Sequence, residues 1–180
     1  LRHALTLLPV YAGLTGLVWL ALLLAGDPGL VALMHAMAAL STSGITPLPH
    51  LADAPSGFLG EAIIGLALVF ALTRRLMPGA ARIETEAPLW RDPELRVGLS
   101  FLVAVPVALF LRHWIGAIEG QLTSDLVQAV QALWGALFTV LSFLTTTGFE
   151  SAGWVDARAW SGMDAPWLIL LGLAMMGGGV

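Results

Sequence analysis

From Leu5 to Ala25 the chain runs through 21 residues without a charged side chain. At about 1.5 Å per residue, a helix of that length just crosses a hydrocarbon core of about 30 Å. Arg2 before the run also fits a secretory leader, but the run is longer than a usual leader core, and its exit, Gly26-Asp27-Pro28, has no small-x-small cleavage pattern. A membrane span is the better reading. Composition agrees, since 58% of the 180 residues are hydrophobic and only 11% charged, where a soluble domain carries about a quarter charged residues. All eight basic residues are arginines, set against twelve acids for a net charge of -4, so no basic face offers itself to nucleic acid. The absence of cysteine excludes disulfides, thiolate metal sites and cysteine nucleophiles.

Three further apolar stretches follow. Phe58 to Leu72 is closed by Thr73-Arg74-Arg75 and carries Glu61 near its outer end. Val97 to Leu111 is boxed by Arg96 and Arg112, and extends through Trp114 and Ile115 if Arg112 snorkels to the interface. Pro166 to Val180 offers 15 residues, fewer than the roughly 20 a span needs, so the sequence is expected to be a piece of a longer chain. Five arginines (Arg74, Arg75, Arg82, Arg91 and Arg96) lie between the second and third stretches, which makes that link cytoplasmic by the positive-inside rule. Gly26 to Gly57 has no arginine but carries Asp27 and Asp53, and reads as external. The same threading puts Trp114 to Asp164 outside.

Both outer segments are too apolar for ordinary loops, and they are related. At a constant offset of 104, Ala32–Ile45 and Ala136–Phe149 share five of fourteen residues: Ala, Leu, Leu, Thr and Gly. In so apolar a chain the Ala and Leu matches carry little weight. The order of features carries more: Ser41-Thr42-Ser43-Gly44 and Thr145-Thr146-Thr147-Gly148 each end an apolar run between two span candidates. The pattern predicts a duplicated unit of span, half-length helix, hydroxyl-rich glycine turn and span.

A helix that stops at membrane depth is tolerated only where protein or a water-filled cavity surrounds its unpaired backbone. With C-terminal ends at Leu40 and Leu144, both half-helices aim the negative pole of the helix dipole at that cavity, which favours cations. Hydroxyl and main-chain oxygens of Ser41, Thr42, Ser43, Gly44, Thr145, Thr146, Thr147 and Gly148 are candidate ligands for a dehydrated alkali cation, with glycine supplying the positive φ that swings a carbonyl toward an axis. One such turn does nothing alone; several around an axis conduct. Glu150, directly after the second turn, is the strongest candidate for an external cation-concentrating acid, ahead of Asp53 and Asp156.

These residues resemble the Trk/Ktr/HKT superfamily of potassium transporters, most closely the bacterial Trk-type membrane subunit. His35 to Gly44 is similar to the family's second pore helix ending in S-T-G-G-F, with Ser43 and Ile45 where the family has glycine and phenylalanine. Ser142-Phe143-Leu144-Thr145-Thr146-Thr147-Gly148-Phe149 resembles the third-repeat S-F-x-T-T-T-G-F, and Arg91-Asp92-Pro93-Glu94-Leu95-Arg96 resembles the D-x-E-L-R linker. Gly177, Gly178 and Gly179 look like the start of the family's glycine-rich gating break. The resemblance implies an all-α integral membrane fold with two tandem membrane helix–pore helix–filter turn–membrane helix repeats, the middle half of a four-repeat pore. The divisions would be 1-78 for the first repeat, 79-96 for a cytoplasmic linker and 97-180 for the second. It further implies a transported ion, potassium or secondarily sodium, at the filter residues, with no covalent cofactor and no transition-metal site. A homodimer of the full-length subunit, a cytoplasmic nucleotide-binding regulatory ring and the bacterial inner membrane complete the implied setting. Two turns alone are expected to conduct only if further copies join them.

Other functions leave weaker traces. His3, His35, His50 and His113 form no H-x-x-x-H or H-E-x-x-H pair; in the family resemblance His35 supports packing or hydrogen bonding beside the filter. An intramembrane enzyme would draw on Glu61 with His35 or Asp164, yet Glu61 is placed to reach the interface and no G-x-S-x-G motif appears. A non-conducting assembly subunit is the remaining alternative. Trp19, Trp114, Trp154, Trp160 and Trp167 suit interfacial anchoring, and Gly13, Gly16 and Gly65 close helix contact.

Overall fold

The computed structural model describes residues 2–70, 93–118, 126–155 and 157. Most of the linker, the stretch from Pro166 with Gly177, Gly178 and Gly179, and the acids Asp156 and Asp164 lie outside the described residues. Those described form helices α1 (Arg2–Ala25), α2 (Gly29–Ser41), α3 (Gly57–Val69), α4 (Pro93–Ile118) and α5 (Leu126–Leu144), with a 3-10 turn at Leu51–Asp53 and no strand among them.

Among the described residues, helix α1 is the element that meets the membrane criterion: its 18 residues from Leu8 to Ala25 are long and apolar enough to cross a bilayer. Leu8, Leu17, Leu20 and Leu24 stay exposed along it, an apolar surface that lipid or protein can cover but water cannot do cheaply. The apolar parts of the other helices, Gly29–Ser41, Gly57–Val69, Arg96–Ala108 and Ala129–Leu144, are shorter. Local chemistry stops α1 where the sequence stops being uncharged. Gly26 takes φ +110, and the amides of Gly26 and Asp27 donate back to the carbonyls of Leu23 and Leu22 at 3.1 Å each, closing the helix in a Schellman motif. Pro28, at φ -59, then starts α2.

Packing builds outward from that corner. Helix α1 lies on α2 and α3, α2 on α3, α3 on α5, and α5 on α4. One apolar core joins Val18 and Leu22 of α1, Ala32, Ala36 and Ala39 of α2, Ile64 and Leu68 of α3, and Phe138 and Leu141 of α5. A second gathers Val105 of α4, Ala136 and Val140 of α5, and Trp154. Small residues on α2 let its backbone approach closely. Asp27, expected as an external loop acid, is instead buried, its Oδ1 accepting the Ser56 amide at 2.9 Å and so fastening the start of α3 to the α1–α2 corner.

The glycine expectations divide. Gly65 carries Phe138 at 3.5 Å from where a Cβ would stand, whereas nothing among the described residues comes within 4 Å at Gly13 or Gly16, because that face of α1 points away from α2 and α3. A close backbone approach falls at Gly135 and Gly153: a Cβ on Gly135 would strike the Gly153 carbonyl group, and one on Gly153 would stand 2.9 Å from the Gln131 carbonyl oxygen. Gly135→Val is therefore expected to lower stability by about 2–3 kcal/mol, while Gly16→Ala in open space gains up to about 1 kcal/mol. Thermal unfolding of both variants in detergent checks the contrast.

Candidate functional site

The two hydroxyl-rich turns share the same pattern of positive φ. Thr42 and Thr146, 104 residues apart, adopt the left-handed conformation at φ 48 and 59, and Gly44 and Gly148 follow at φ 65 and 80. A β-branched residue enters that region only against its own sterics. The glycines fit the sequence expectation; the strained threonines were not foreseen.

Hydrogen bonds repeat with the same offset. Ser43 donates its amide to the Ala38 carbonyl at 3.0 Å, and Thr147 to the Ser142 carbonyl at 2.8 Å. The Ser41 hydroxyl donates to the Met37 carbonyl at 2.7 Å and meets the Ser43 hydroxyl at 3.1 Å. In the second turn, the Thr145 hydroxyl donates to the Leu141 carbonyl at 3.0 Å and meets the Thr147 hydroxyl at 3.0 Å. Residue 35 and its counterpart 139 do equivalent work. His35 Nε2 pairs with Thr46 Oγ1 at 2.9 Å, and Thr139 Oγ1 accepts the Ser151 amide at 3.3 Å, so each helix holds the limb that climbs away from its turn.

The turns also meet. A Cβ on Gly44 would land on the Thr147 carbonyl oxygen, while at Gly148 nothing among the described residues lies within 4 Å of the same position. The C-terminal ends of α2 and α5 thus converge, and with them two negative dipole poles. Phe149 crosses the junction, buried in the core shared by α1, α2 and α3, its ring edge-on to His35 at 6.0 Å. Ile45, its counterpart, is 59% exposed. The first turn is the more open: Ser41 and Ser43 are exposed, whereas Thr145 and Thr147 are buried and Thr146, Gly148 and Glu150 exposed.

Two acids stand behind the turns. Asp27 Oδ2 and His35 Nδ1 lie 3.9 Å apart with both side chains fully buried, and neither atom has a hydrogen-bond partner among the described residues. Glu61 corrects the sequence expectation of an interface-reaching residue. It is 4% exposed, with Oε2 accepting from Trp134 Nε1 at 2.9 Å and Ser151 Oγ at 2.7 Å, and Oε1 accepting the Ala152 amide at 2.7 Å. Burial is tolerable because three donors surround the carboxylate. No group of three or more His, Asp or Glu side chains suited to a metal ion occurs among the described residues.

Comparison of the chain with protein families, with curated proteins and with solved structures found no match. The site therefore rests on its own geometry.

The structural roles of Asp27, Trp134, Gly135, Ser142, Ser151 and Gly153 in the site were not foreseen, although the sequence reads Asp27 as an external acid and Ser142 as the first residue of the 142–149 stretch. A signal existed for one of them. Ser142 stands where the first copy has Ala38, at the position whose carbonyl caps the turn, and its hydroxyl accepts the buried Phe149 amide at 2.6 Å. Ser142→Ala removes that acceptor and is expected to cost about 1–3 kcal/mol, read by thermal unfolding, with faster hydrogen exchange confined to the Phe149 amide and its neighbours.

Proposed function

We propose that the chain forms part of a monovalent-cation permeation path of the Trk/Ktr/HKT type, with potassium as the principal cargo and sodium as the competitor. The observation that carries this reading is the meeting of two turns with matching strained backbones at Gly44 and Thr147. A dehydrated alkali cation needs several oxygens at once, held firmly enough to replace water and weakly enough to release the ion. Oxygens of Ser41, Thr42, Ser43 and Gly44 would act with those of Thr145, Thr146, Thr147 and Gly148, helped by two helix C-termini. Glu150, exposed beside the second turn, would concentrate cations at the mouth.

Strained non-glycine backbone at two equivalent positions supports a functional rather than a merely structural turn, since such strain persists only where surrounding bonds over-determine it. The apolar α1 supports a bilayer setting, with both turns entering from the external side and residues 79-96 cytoplasmic. In this reading Gly177, Gly178 and Gly179 form the gate, the full-length subunit pairs as a homodimer, and a nucleotide-binding ring docks on the inner face. The three donors around Glu61 weigh against the acid–base alternative, because they engage both carboxylate oxygens.

Rubidium uptake by potassium-starved cells that lack their own uptake systems, expressing the full coding sequence, tests the proposal. Wild type is expected to accumulate rubidium in competition with potassium. Gly148→Val places a β-branched side chain at φ 80, and Gly44→Ala drives a methyl into the Thr147 carbonyl. Each is expected to insert in the membrane at wild-type levels and to lose at least about nine-tenths of uptake, the loss that a rise of about 1.4 kcal/mol in the barrier produces. Wild-type uptake in both variants would remove the turns from the path.

A further inference from the structure

Glu61 sits on α3, yet two of its three hydrogen-bond donors lie about ninety positions further along, in the limb beyond the second turn. The third is the Trp134 indole on α5. Around that limb the bonding is dense. Ser151 donates its amide to Thr139 and its hydroxyl to Glu61, while the hydroxyl oxygen accepts the Gly153 amide at 3.1 Å. Gly153 in turn lies backbone to backbone on Gly135. A carboxylate suits this place because it accepts several bonds and donates none, and bonds to a charged acceptor are about twice as strong as neutral ones.

Only Phe149 and Glu150 separate this anchored stretch from Thr147 and Gly148, and the Phe149 amide is itself tied to Ser142. The three residue steps from Gly148 to Ser151 span at most about 11 Å, so a displacement at Ser151 reaches the turn with little slack. Among the described residues, the first turn has no such strut. Its counterparts of Ser151 and Ala152 are Pro47, which has no amide hydrogen, and Leu48, whose amide turns back to Thr46 Oγ1 at 3.1 Å.

We propose that Glu61 is a positioning residue that holds the second turn at the spacing suited to the larger alkali cation, and thereby sets discrimination against sodium. This rests on the transport reading given above. A turn released from the strut can contract around a smaller ion, so loss of the carboxylate is felt first in selectivity and only later in maximal rate.

The experiment measures rubidium uptake and its inhibition by sodium for wild type, Glu61→Gln, Trp134→Phe and Ser151→Ala at matched insertion, together with hydrogen exchange at the Ala152 amide in purified protein. Glu61→Gln is expected to strengthen sodium inhibition roughly tenfold, equivalent to about 1.4 kcal/mol of lost discrimination, with the maximal rate changed less than twofold and Ala152 exchanging faster. Trp134→Phe and Ser151→Ala each remove one donor and are expected to shift inhibition the same way by a smaller factor, which keeps the test decisive should Glu61→Gln fail to fold. Unchanged sodium inhibition in the inserted variants, with wild-type uptake intact, overturns the inference alone. Absence of rubidium uptake in wild type overturns the transport reading and this inference with it, whatever Ala152 shows.

Discussion

A helix end leaves its last carbonyls without partners inside the helix, and the arrangement of this chain follows from how α2 and α5 meet that constraint. Each folds its backbone back on itself. The amides of Ser43 and Thr147 return to the carbonyls of Ala38 and Ser142, and hydroxyls at 41 and 145 take the carbonyls of Met37 and Leu141. The closure costs strain, since a left-handed L-residue is disfavoured by about 1–2 kcal/mol, and the chain bears it at both Thr42 and Thr146. Dense local bonding is what keeps these threonines there.

The two turns differ in how they are supported. Behind the first, the bonding passes from Thr46 to His35 and then meets a 3.9 Å gap to Asp27. Behind the second it closes fully, through Ser142, Thr139 and the Glu61 carboxylate. Burial follows the bonding, with Thr145 and Thr147 inside and Ser41 and Ser43 outside. Two turns of similar backbone shape thus carry side chains that fasten different neighbours.

What could be read from the sequence was local and periodic. The uncharged run before Gly26 marks α1, and the glycine turns mark the ends of α2 and α5 within a residue, because helix stops are written in short-range chemistry. The offset of 104 is visible in the letters and recurs in φ values and hydrogen bonds. Contacts between distant segments were not visible: nothing near Glu61 in the chain announces Ser151, and nothing near Gly135 announces Gly153. Asp27 and Glu61 were misplaced for one reason, that a lone acid in an apolar stretch is assigned to water unless its donors are known. Those donors come from far along the chain and from backbone amides that have no letter of their own.

The contact between Gly44 and Thr147 is also directional. Were the two turns related by a two-fold axis, Gly148 would press on Ser43 as Gly44 presses on Thr147, but among the described residues nothing, Ser43 included, comes within 4 Å of the same point at Gly148. The junction is heterologous, head to tail, so each turn has a leading flank and a trailing one. Such junctions, repeated, either close into a ring of fixed handedness or run on without end. The chirality of any assembly that extends this pair is therefore already set by which glycine lies beneath which carbonyl.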